Sequence, residues 1–529
     1  MRKRIFAVLL ALAMLFVLAS CGSKKNEDGA VTAYVGTTIF EESMDPIKGA
    51  MSYGYDFVCN ALIKVNTKSE YVPDLATDWS ISPDALMYTF HLRKGVKFSD
   101  GSPFTSEDVA FTYRTAKKNQ AKNENVDLSR LKEVRTPDDY TVEFVLSEPY
   151  SPFLDTTAQL QIVPSDSYDA KKFDRMPIGT GAWKVVEYDP NQQIILEANK
   201  NCFSGAPKLN RVTLVYMEQE AAFAAAKSGQ LDIVMVSPNY AKQKVKGMQL
   251  ESFETMDVRN ISLPMHPKKT VKGPDGKDMV VGNNVTCDKA VREALSIGID
   301  RKQIIQDAFN GVGVPAVNFT DNLTWASTNN FKDNRPDEAK KLLDNAGWKV
   351  GSNGYRSKDG QPCEFDIYAA SNDPDRYSLA AALAENAKKL GIKINPKTAS
   401  WDQIKGSLKN SAGVVWGWGQ YNPNVLVSLF QSTPYPNTTE YNNVVGFSSP
   451  RVDSLIQQAL DATSKKAADA KWKEVQDVAN AEYPYLYLVN ICHCYFVNKN
   501  LDISMKTQIP HPHGHGSPII CNMQDWSMK

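Results

Sequence analysis

The sequence carries no excess of charge of either sign and no compact catalytic motif. Its 529 residues include 60 lysines and arginines and 60 aspartates and glutamates, so the basic excess that indicates a nucleic-acid-binding protein is absent. The sequence also contains no G-x-S-x-G nucleophile elbow, no H-E-x-x-H zinc motif and no phosphate-binding P-loop. We therefore expect no nucleic-acid partner and no enzymatic activity, and a surface peptidase is the least favoured function.

Cysteines are few, and their number does not fit a complete disulfide framework. There are 8 cysteines, and 7 remain if Cys21 is assigned to lipid attachment, which leaves an odd number. Cys492 and Cys494 flank His493 within an apolar run, residues 485–497, that has the pattern of a strand. This Cys-His-Cys sequence is compatible with a metal site, but small buried thiols are the favoured interpretation.

Long apolar runs are absent beyond the first twenty residues. A basic segment at residues 2–4 precedes an apolar run at residues 5–18, which is short for a membrane span and typical of a secretory signal peptide. The sequence L-A-S-C-G at residues 18–22 resembles a bacterial lipobox. We expect residues 1–20 to be removed, Cys21 to carry lipid and residues 21–29 to form a tether, with a plain secretory signal as the alternative. The protein would then be held by lipid on the extracytoplasmic face of the membrane, in the periplasm or at the cell surface.

The chain is too long for one hydrophobic core, so two or three domains are expected. Its composition, 42% hydrophobic and 23% charged, is typical of a soluble globular protein. The most informative stretch is residues 79–114. Residues 88–93 alternate as in a half-buried strand, and residues 96–98 are predicted to form a second short strand. Thr105 is predicted to cap a helix, with Asp108 completing an acidic version of the capping box.

This stretch resembles a known protein family. The pattern Y-T-F-x-L-R-x-G-V-K-F-x-D-G-x-P-F-T-x-x-D-V at residues 88–109 is similar to the signature of the family 5 extracellular solute-binding proteins. These are receptors of ABC importers for peptides, nickel complexes and related solutes. Further family landmarks are P-I-G-T-G-A-W at residues 177–183, I-D-R at residues 299–301 and a helix at residues 337–348. The resemblance extends over essentially everything after residue 30.

The resemblance implies an α/β fold of the class II periplasmic-binding-protein type, in which two lobes close about a hinge and a third domain is added. Gly179 and Gly181 suit a tight crossing of strands where two domains meet. The ligand is expected to be buried between domains I and III. The expected boundaries are residues 30–55, 177–266 and 485–529 for domain I, 56–176 for domain II and 267–484 for domain III.

Local patterns predict several other elements. Residues 268–284 are polar and rich in glycine, which predicts a loop. Residues 288–310 are predicted to form a pair of helices, and residues 450–462 and 465–481 two more. A strand at residues 365–370, a helix at residues 376–390 and a strand at residues 392–395 form a predicted β-α-β unit, which implies a parallel pair of strands.

The strongest candidate for ligand binding is the aromatic segment at residues 414–423, V-V-W-G-W-G-Q-Y-N-P. An apolar strand leads into a glycine-rich turn, and aromatic side chains with polar tips suit a closing cleft. Core packing of these aromatics is the alternative, but the glycines on both sides of Trp418 favour a site. The predicted contacts are Trp416, Trp418, Gln420, Tyr421 and Asn422.

The same segment departs from the family at its acidic positions. Peptide-binding members resemble G-W-x-x-D-x-x-D-P here, and nickel-binding members resemble W-G-x-P-Y-D-P. Trp418, Tyr421 and Pro423 match, but Gln420 and Asn422 replace acids. In the peptide receptors a nearby aspartate pairs with the peptide amino terminus, so the resemblance implies a weakened clamp for a free α-amine.

Three further residues are candidate contacts. Arg376 is a candidate clamp for a ligand carboxylate, because a guanidinium binds carboxylates in a bidentate geometry. A solvated position at the start of a helix is the alternative role for Arg376. Met51 and Tyr53 stand where other members of the family contact their ligand.

The second constellation is the H-P-H-G-H segment near the C-terminus. His511, His513 and His515 alternate, and three imidazoles on one side can bind a transition metal. The alternative is a loop whose histidines hydrogen-bond to backbone. We expect no resident cofactor, and a transition metal such as nickel would be a transported ligand.

The sequence therefore predicts an extracytoplasmic, lipid-anchored receptor of an ABC importer. It would act as a monomer, capture a short peptide or similar small solute, and deliver it to the transmembrane subunits of an ABC permease. A nickel or metal-chelate receptor of the same family, which would use the histidines at residues 511–515, is the alternative.

Overall fold

Most of the chain after residue 28 is described by the computed structural model. It describes residues 29–529 except 37, 41–42, 50–56, 121–122, 124–125, 274–275, 320, 322, 329–331, 436–440 and 506–517. Six predicted functional residues lie outside the described residues: Cys21, Met51, Tyr53, His511, His513 and His515.

The α-helices of the described chain lie mostly in its second half. They are α1 Ser106–Lys118, α2 Phe153–Gln159, α3 Gln219–Lys227, α4 Lys289–Gly298, α5 Arg301–Phe309, α6 Pro336–Asn345, α7 Pro374–Lys388, α8 Trp401–Gly406, α9 Asn424–Phe430, α10 Pro450–Leu460 and α11 Lys465–Asn480. None of these helices combines the length and the hydropathy needed to span a bilayer, within the ranges that the structure describes.

The strands fall into one large sheet and several small ones. They are β1 Ala30–Tyr34, β2 Ile63–Val65, β3 Tyr71–Pro73, β4 Ala76–Ile81, β5 Met87–Leu92, β6 Leu131–Asp138, β7 Thr141–Leu146, β8 Trp183–Asp189, β9 Gln193–Ala198, β10 Arg211–Val215, β11 Ile233–Val236, β12 Met248–Ser262, β13 Lys269–Lys272, β14 Asp278–Val281, β15 Val314–Pro315, β16 Lys349–Val350, β17 Arg356–Lys358, β18 Gln361–Pro362, β19 Glu364–Ala370, β20 Lys393–Ala399, β21 Gly413–Trp418, β22 Tyr485–Asn498, β23 Leu501–Asp502 and β24 Ser527–Met528.

The large sheet is organised around two long strands. Its order is β20-β19-β21-β12-β22-β11-β1-β10-β9-β8, and β15 pairs with the side of β22. β12 and β22 are antiparallel and paired from Met248↔Asn498 to Ser262↔Tyr485, with a break in register between Glu254 and Val258. These two strands therefore connect the half of the sheet built from β1 and β8–β11 to the half built from β19–β21.

Hydrophobic cores cover both faces of the second half of the sheet. Along β12, Ile261 packs into a core with α4, α5 and α7, whereas Val258 packs into a core with α9, α10 and α11. The alternation of neighbouring strand residues between the two faces explains this division. Trp418, at the end of β21 that leads into the aromatic turn, packs against the same core as Val258.

The signature region forms a separate four-stranded sheet, β4-β5-β7-β6, against which α1 packs. The predicted strand at residues 88–93 is confirmed as β5. The predicted cap is confirmed too, because the Asp108 carboxylate accepts a hydrogen bond of 2.8 Å from the backbone N–H of Thr105. The predicted strand at residues 96–98 is wrong. Only an isolated bridge between Lys97 and Pro103 forms there, because the chain turns back at Gly101.

Of the other local predictions, two are confirmed and one is wrong. The parallel pair in the β-α-β unit is confirmed, since β19 and β20 pair in parallel along their full length. The helices predicted at residues 288–310, 450–462 and 465–481 are present. The predicted loop at residues 268–284 is wrong, because this segment forms the hairpin β13–β14. Gly273 and Gly276 lie between the two strands, where Gly276 has a φ of 75°, and Gly282 directly follows β14.

The crossing predicted at Gly179 and Gly181 is present and very close. A Cβ on Gly179 would lie 2.0 Å from the carbonyl oxygen of Val58, and one on Gly181 would lie 2.5 Å from the carbonyl oxygen of Phe57. The backbone N–H of Gly181 donates a hydrogen bond of 2.8 Å to Val58 O. Only glycine permits this approach of two backbones.

Candidate ligand-binding site

Trp416, on β21, is a packed core residue. Its side chain is 3% exposed, and its Nε1 donates a hydrogen bond of 3.0 Å to Ser262 Oγ on the neighbouring strand β12. Its ring centroid lies 5.7 Å from that of Trp401. Of the two roles considered for the aromatic segment, core packing therefore describes Trp416.

Trp418, at the end of the same strand, is only partly buried. Its ring centroid lies 6.4 Å from that of Trp416 and 6.0 Å from that of Phe319. Its Nε1 is enclosed, yet it donates no hydrogen bond to any described residue. An enclosed donor without an acceptor costs about 1–3 kcal/mol, so a ligand acceptor at this position would remove a cost that the ligand-free protein bears.

The glycine after Trp418 brings the turn against the irregular part of β12. A Cβ on Gly419 would lie 2.4 Å from the carbonyl oxygen of Met256 and 2.8 Å from Asp257 Cα. These residues lie in the register break between Glu254 and Val258, where the strand bulges. Bulges redirect the side chains of the strands that carry them, so the turn lies against a part of β12 whose side chains depart from regular alternation.

The rest of the turn is held from both sides. Gln420 is partly exposed, whereas Tyr421 and Asn422 are buried. The Tyr421 carbonyl oxygen accepts a hydrogen bond of 3.0 Å from Trp325 Nε1. Asn422 Nδ2 donates one of 3.3 Å to Gln159 Oε1, which belongs to α2. The turn is therefore fixed in place between α2 and the segment that carries Trp325.

Arg376 is engaged within the protein and is not at a solvated helix start. Although it lies in the first turn of α7, it is only 8% exposed. Its Nε donates a hydrogen bond of 2.8 Å to Asp373 Oδ2, its Nη1 donates one of 2.8 Å to Val415 O, and its guanidinium carbon lies 5.1 Å from the ring centre of Trp401. Burial lowers the pKa of Arg376, and the neighbouring Arg259 lowers it further.

Asp373, whose side chain is partly exposed, completes this charge group. Burial alone would raise the pKa of its carboxyl, but Arg376 and Arg259 together hold that pKa below its usual value. Two donor groups of Arg376 are therefore already committed to Asp373 and to Val415. In this conformation the guanidinium holds β21, the strand that leads to Trp418. It is therefore not a free clamp for a ligand carboxylate.

A cleft beside the turn contains residues that sequence reasoning missed. It has a volume of about 40 Å³, and among its walls are Tyr71, Asp155, Trp325, Tyr421, Lys465 and Trp472. Asp155 lies on α2, whose residue Gln159 holds Asn422. In the sequence, Asp155 stands in the run F-L-D-T-T-A-Q, which resembles no binding motif. Its only sequence signal is its position four residues before Gln159, which places both side chains on the same face of α2. We refer to this cavity as the Asp155 cleft.

The Cys-His-Cys sequence lies on the long strand β22, as predicted. Cys492 and Cys494 are buried, which confirms the interpretation as small buried thiols, and burial raises the pKa of Cys494 to about 11. His493 is also buried, with its Nε2 3.7 Å from Asp257 Oδ2. Within the described ranges no group of three His, Cys, Asp or Glu side chains is arranged to hold a metal ion.

Known proteins match this chain over most of its length. The model of the bacterial extracellular solute-binding proteins, family 5, matches residues 70–440. Protein XP55 of Streptomyces lividans is 28% identical over 480 residues, which cover 88% of this chain and 84% of that protein. The oligopeptide-binding protein AppA of Bacillus subtilis is 26% identical over 517 residues, covering 91% of this chain and 92% of that protein.

A solved structure shares the fold. NikZ from Campylobacter jejuni, in complex with Ni(L-His), superimposes with a TM-score of 0.76 at 24% identity, covering 94% of this chain and 99% of NikZ. The architecture of the class II, two-lobed receptor with an additional domain is thus present. The chain belongs to the bacterial extracellular solute-binding proteins of family 5, the extracytoplasmic receptors of ABC importers, which serve transport and are not enzymes.

Proposed function

We propose that this protein captures a short peptide or a similar small solute at the aromatic turn and delivers it to an ABC permease. The observation that carries the proposal is the enclosed Nε1 of Trp418, which has no acceptor among the described residues. The turn that follows it is rigidly held, and its side chains are aromatic or neutral and polar. Such a site suits the amide groups of a peptide, which supply both donors and acceptors.

The similarity to AppA supports the choice of a peptide. AppA carries the name oligopeptide-binding protein, and the alignment with it covers nearly the whole of both chains. We propose three domains: residues 30–55, 177–266 and 485–529 for domain I, residues 56–176 for domain II and residues 267–484 for domain III. Ligand binding would draw the parts of the sheet on either side of β12 and β22 together, as in hinge closure.

We also propose that the protein is a monomer attached to the membrane through lipid on Cys21. The lipobox-like sequence at residues 18–22 supports the attachment. Mass spectrometry of the protein purified from membranes tests it, since lipidation adds the mass of the acyl chains to a chain that begins at Cys21. A Cys21→Ala variant released into the soluble fraction would agree with the proposal, and an unmodified Cys21 would contradict it.

Ligand binding is tested with the full-length protein in mild detergent, by thermal unfolding with peptide pools, with nickel alone, and with nickel plus free histidine. A ligand that binds only the folded state raises the melting temperature. We expect the peptide pools to do so. A shift that requires nickel and disappears in His513→Ala would instead support the metal-chelate function, which the fold shared with NikZ makes the second candidate.

A matched pair of tryptophan variants then tests the site. Trp418→Phe removes the Nε1 donor, and we expect it to weaken peptide binding about fivefold, the value of one neutral hydrogen bond. Trp416→Phe removes the bond to Ser262 in the core, so it should lower the melting temperature and leave the affinity unchanged. Unchanged affinity in Trp418→Phe, measured by calorimetry, would exclude Trp418 from the site.

A further inference from the structure

The Asp155 cleft encloses a carboxylate that lacks a cationic partner. Asp155 is 5% exposed, and its Oδ1 accepts a hydrogen bond of 2.7 Å from the hydroxyl of Tyr71. No other described residue donates a hydrogen bond to this carboxylate. The burial of an ionised carboxylate is costly unless a counter-charge is present, so the second oxygen, Oδ2, is left for a donor that the chain itself does not supply.

The nearby lysine does not supply that counter-charge. Lys465 Nζ lies 2.7 Å from Asp469 Oδ2 on the next turn of α11 and donates a hydrogen bond of 2.9 Å to Thr324 Oγ1. The charges of Lys465 and Asp469 cancel, which leaves the charge of Asp155 in excess within the cleft. Burial is the main cause that raises the pKa of Asp155 to about 7, and the Tyr71 hydrogen bond and the charge of Lys465 reduce that rise only in part.

Four aromatic side chains stand among the walls of the cleft, together with small polar and aliphatic residues and the Lys465–Asp469 pair. Tyr71, Trp325, Tyr421 and Trp472 line it, and Trp472 Nε1 is enclosed with no acceptor among the described residues. Aromatic faces attract cations, and the attraction grows when water is excluded. The acid and the aromatic side chains together therefore favour a compact organic cation with an apolar stem over an anion.

The position of the cleft ties it to the proposed ligand site. Asp155 and Gln159 are one turn apart on the same face of α2. Gln159 accepts the hydrogen bond from Asn422, and Tyr421 belongs both to the turn and to the cleft. Gln420 and Asn422 provide no carboxylate at the turn itself. The carboxylate nearest the turn along this helix face is instead that of Asp155, on α2.

We propose that the Asp155 cleft binds the ammonium group of the ligand, with Oδ2 of Asp155 as its acceptor and the aromatic walls around its stem. This inference rests on the proposed function and deepens it, since it assigns a charged group to the ligand. The ammonium is either the α-amine of a peptide or the side-chain amine of a lysine. Both present the same three N–H donors.

The test measures binding to the full-length protein by calorimetry, with tetra-alanine, N-acetyl tetra-alanine, and an N-acetyl tetrapeptide in which one alanine is lysine. Asp155→Asn keeps the shape of the side chain and an acceptor for Tyr71 but removes the charge. We expect it to weaken binding of the amine-bearing peptides at least about tenfold, as for the loss of a hydrogen bond to a charged group. Asp84→Asn, which removes an exposed carboxylate, is the matched control and should leave binding unchanged.

The peptides distinguish the two sources of the amine. Loss of binding on acetylation of tetra-alanine assigns the cleft to the α-amine, and recovery of binding with the acetylated lysine peptide assigns it to the side chain. Equal affinities of all three peptides for the wild-type protein, or equal affinities of wild-type protein and Asp155→Asn for every amine, would overturn the proposal. So would tight binding of nickel ions that depends on Asp155 and excludes the amines.

A second probe separates this proposal from the proposed function. Binding of n-butylammonium, with n-butanol as its neutral counterpart, is followed by saturation-transfer NMR. If no peptide binds, the proposed function fails, but butylammonium that binds in an Asp155-dependent manner still establishes the amine site. If butylammonium binds no better than butanol, the site is refuted even where peptides bind.

Tyr71 offers an independent variant should Asp155→Asn fold poorly. Tyr71→Phe removes the hydrogen bond that stabilises the ionised carboxylate, so the affinity for butylammonium should fall near neutral pH and recover at higher pH. A purely structural role of Tyr71 would instead change the affinity equally at every pH. A pH-independent effect would therefore contradict the proposal.

Discussion

Asp155 is expected to make the ligand-free protein less stable as the pH rises, and its replacement by asparagine should abolish that loss. Burial raises the pKa of its carboxyl from 3.8 to about 7 in the folded protein. The folded state therefore holds the proton more tightly than the unfolded state between these two values. The stabilisation due to the neutral acid is complete below the unfolded pKa and is lost as the pH rises through the folded pKa.

The magnitude follows from the size of this shift. Each pH unit corresponds to about 1.4 kcal/mol, so the full loss is about 4 kcal/mol once the pH exceeds 7. Asparagine carries no charge at any pH and suffers no such loss. We expect the free energy of unfolding of Asp155→Asn to equal that of the wild-type protein near pH 4 and to exceed it by about 4 kcal/mol near pH 8.

Urea-induced unfolding, followed by tryptophan fluorescence at a series of pH values without ligand, measures this difference. The control is Asp84→Asn. The Asp84 carboxylate is exposed and accepts hydrogen bonds from Ser82 and from the backbone of Leu86, which hold its pKa below the usual value. Its replacement should therefore change stability in the opposite sense as the pH rises. A constant difference between Asp155→Asn and wild type across the pH range would refute the assignment of a buried, unpaired carboxyl.

Two further substitutions test the backbone crossing and the charge group of Arg376 and Asp373. Gly179→Ala places a Cβ against the Val58 carbonyl and should cost at least about 3 kcal/mol in thermal unfolding, whereas Gly406→Ala, where the added Cβ meets nothing within 4 Å, should change stability by less than about 1 kcal/mol. Arg376→Gln leaves Asp373 with only Arg259 and should cost about 3 kcal/mol in urea-induced unfolding; unchanged stability would show that the pair contributes nothing.

Local sequence patterns were sufficient where the stabilising contacts are themselves local. The alternation at β5 and the Thr105–Asp108 cap each depend on residues a few positions apart, and both are present. The turn at residues 419–423 was also recognisable, because glycines beside tryptophans are unusual in a packed strand. The segment at residues 268–284 was predicted wrongly, since glycines in the hairpin turn and directly after its second strand made the hairpin resemble a loop.

The remaining features depend on contacts between distant parts of the chain. Arg376 is buried because β21 and Trp401 pack around α7, and no pattern near residue 376 carries that information. Asp155 meets Tyr71 across 84 positions of sequence, and the cleft forms only when α2 and α11 come together. A single acid in an ordinary helix gives no sign of such surroundings until the partner elements are placed.

The order of strands in the large sheet has a consequence for how the chain is made. β22 lies between β11 and β12, yet it comes from residues 485–498, close to the end of the sequence. While the chain is being synthesised or exported, β11 and β12 have no neighbour on the sides that face each other. Unpaired strand edges promote aggregation, so a chaperone that keeps the nascent chain unfolded until residues 485–498 have emerged would protect the most vulnerable intermediate.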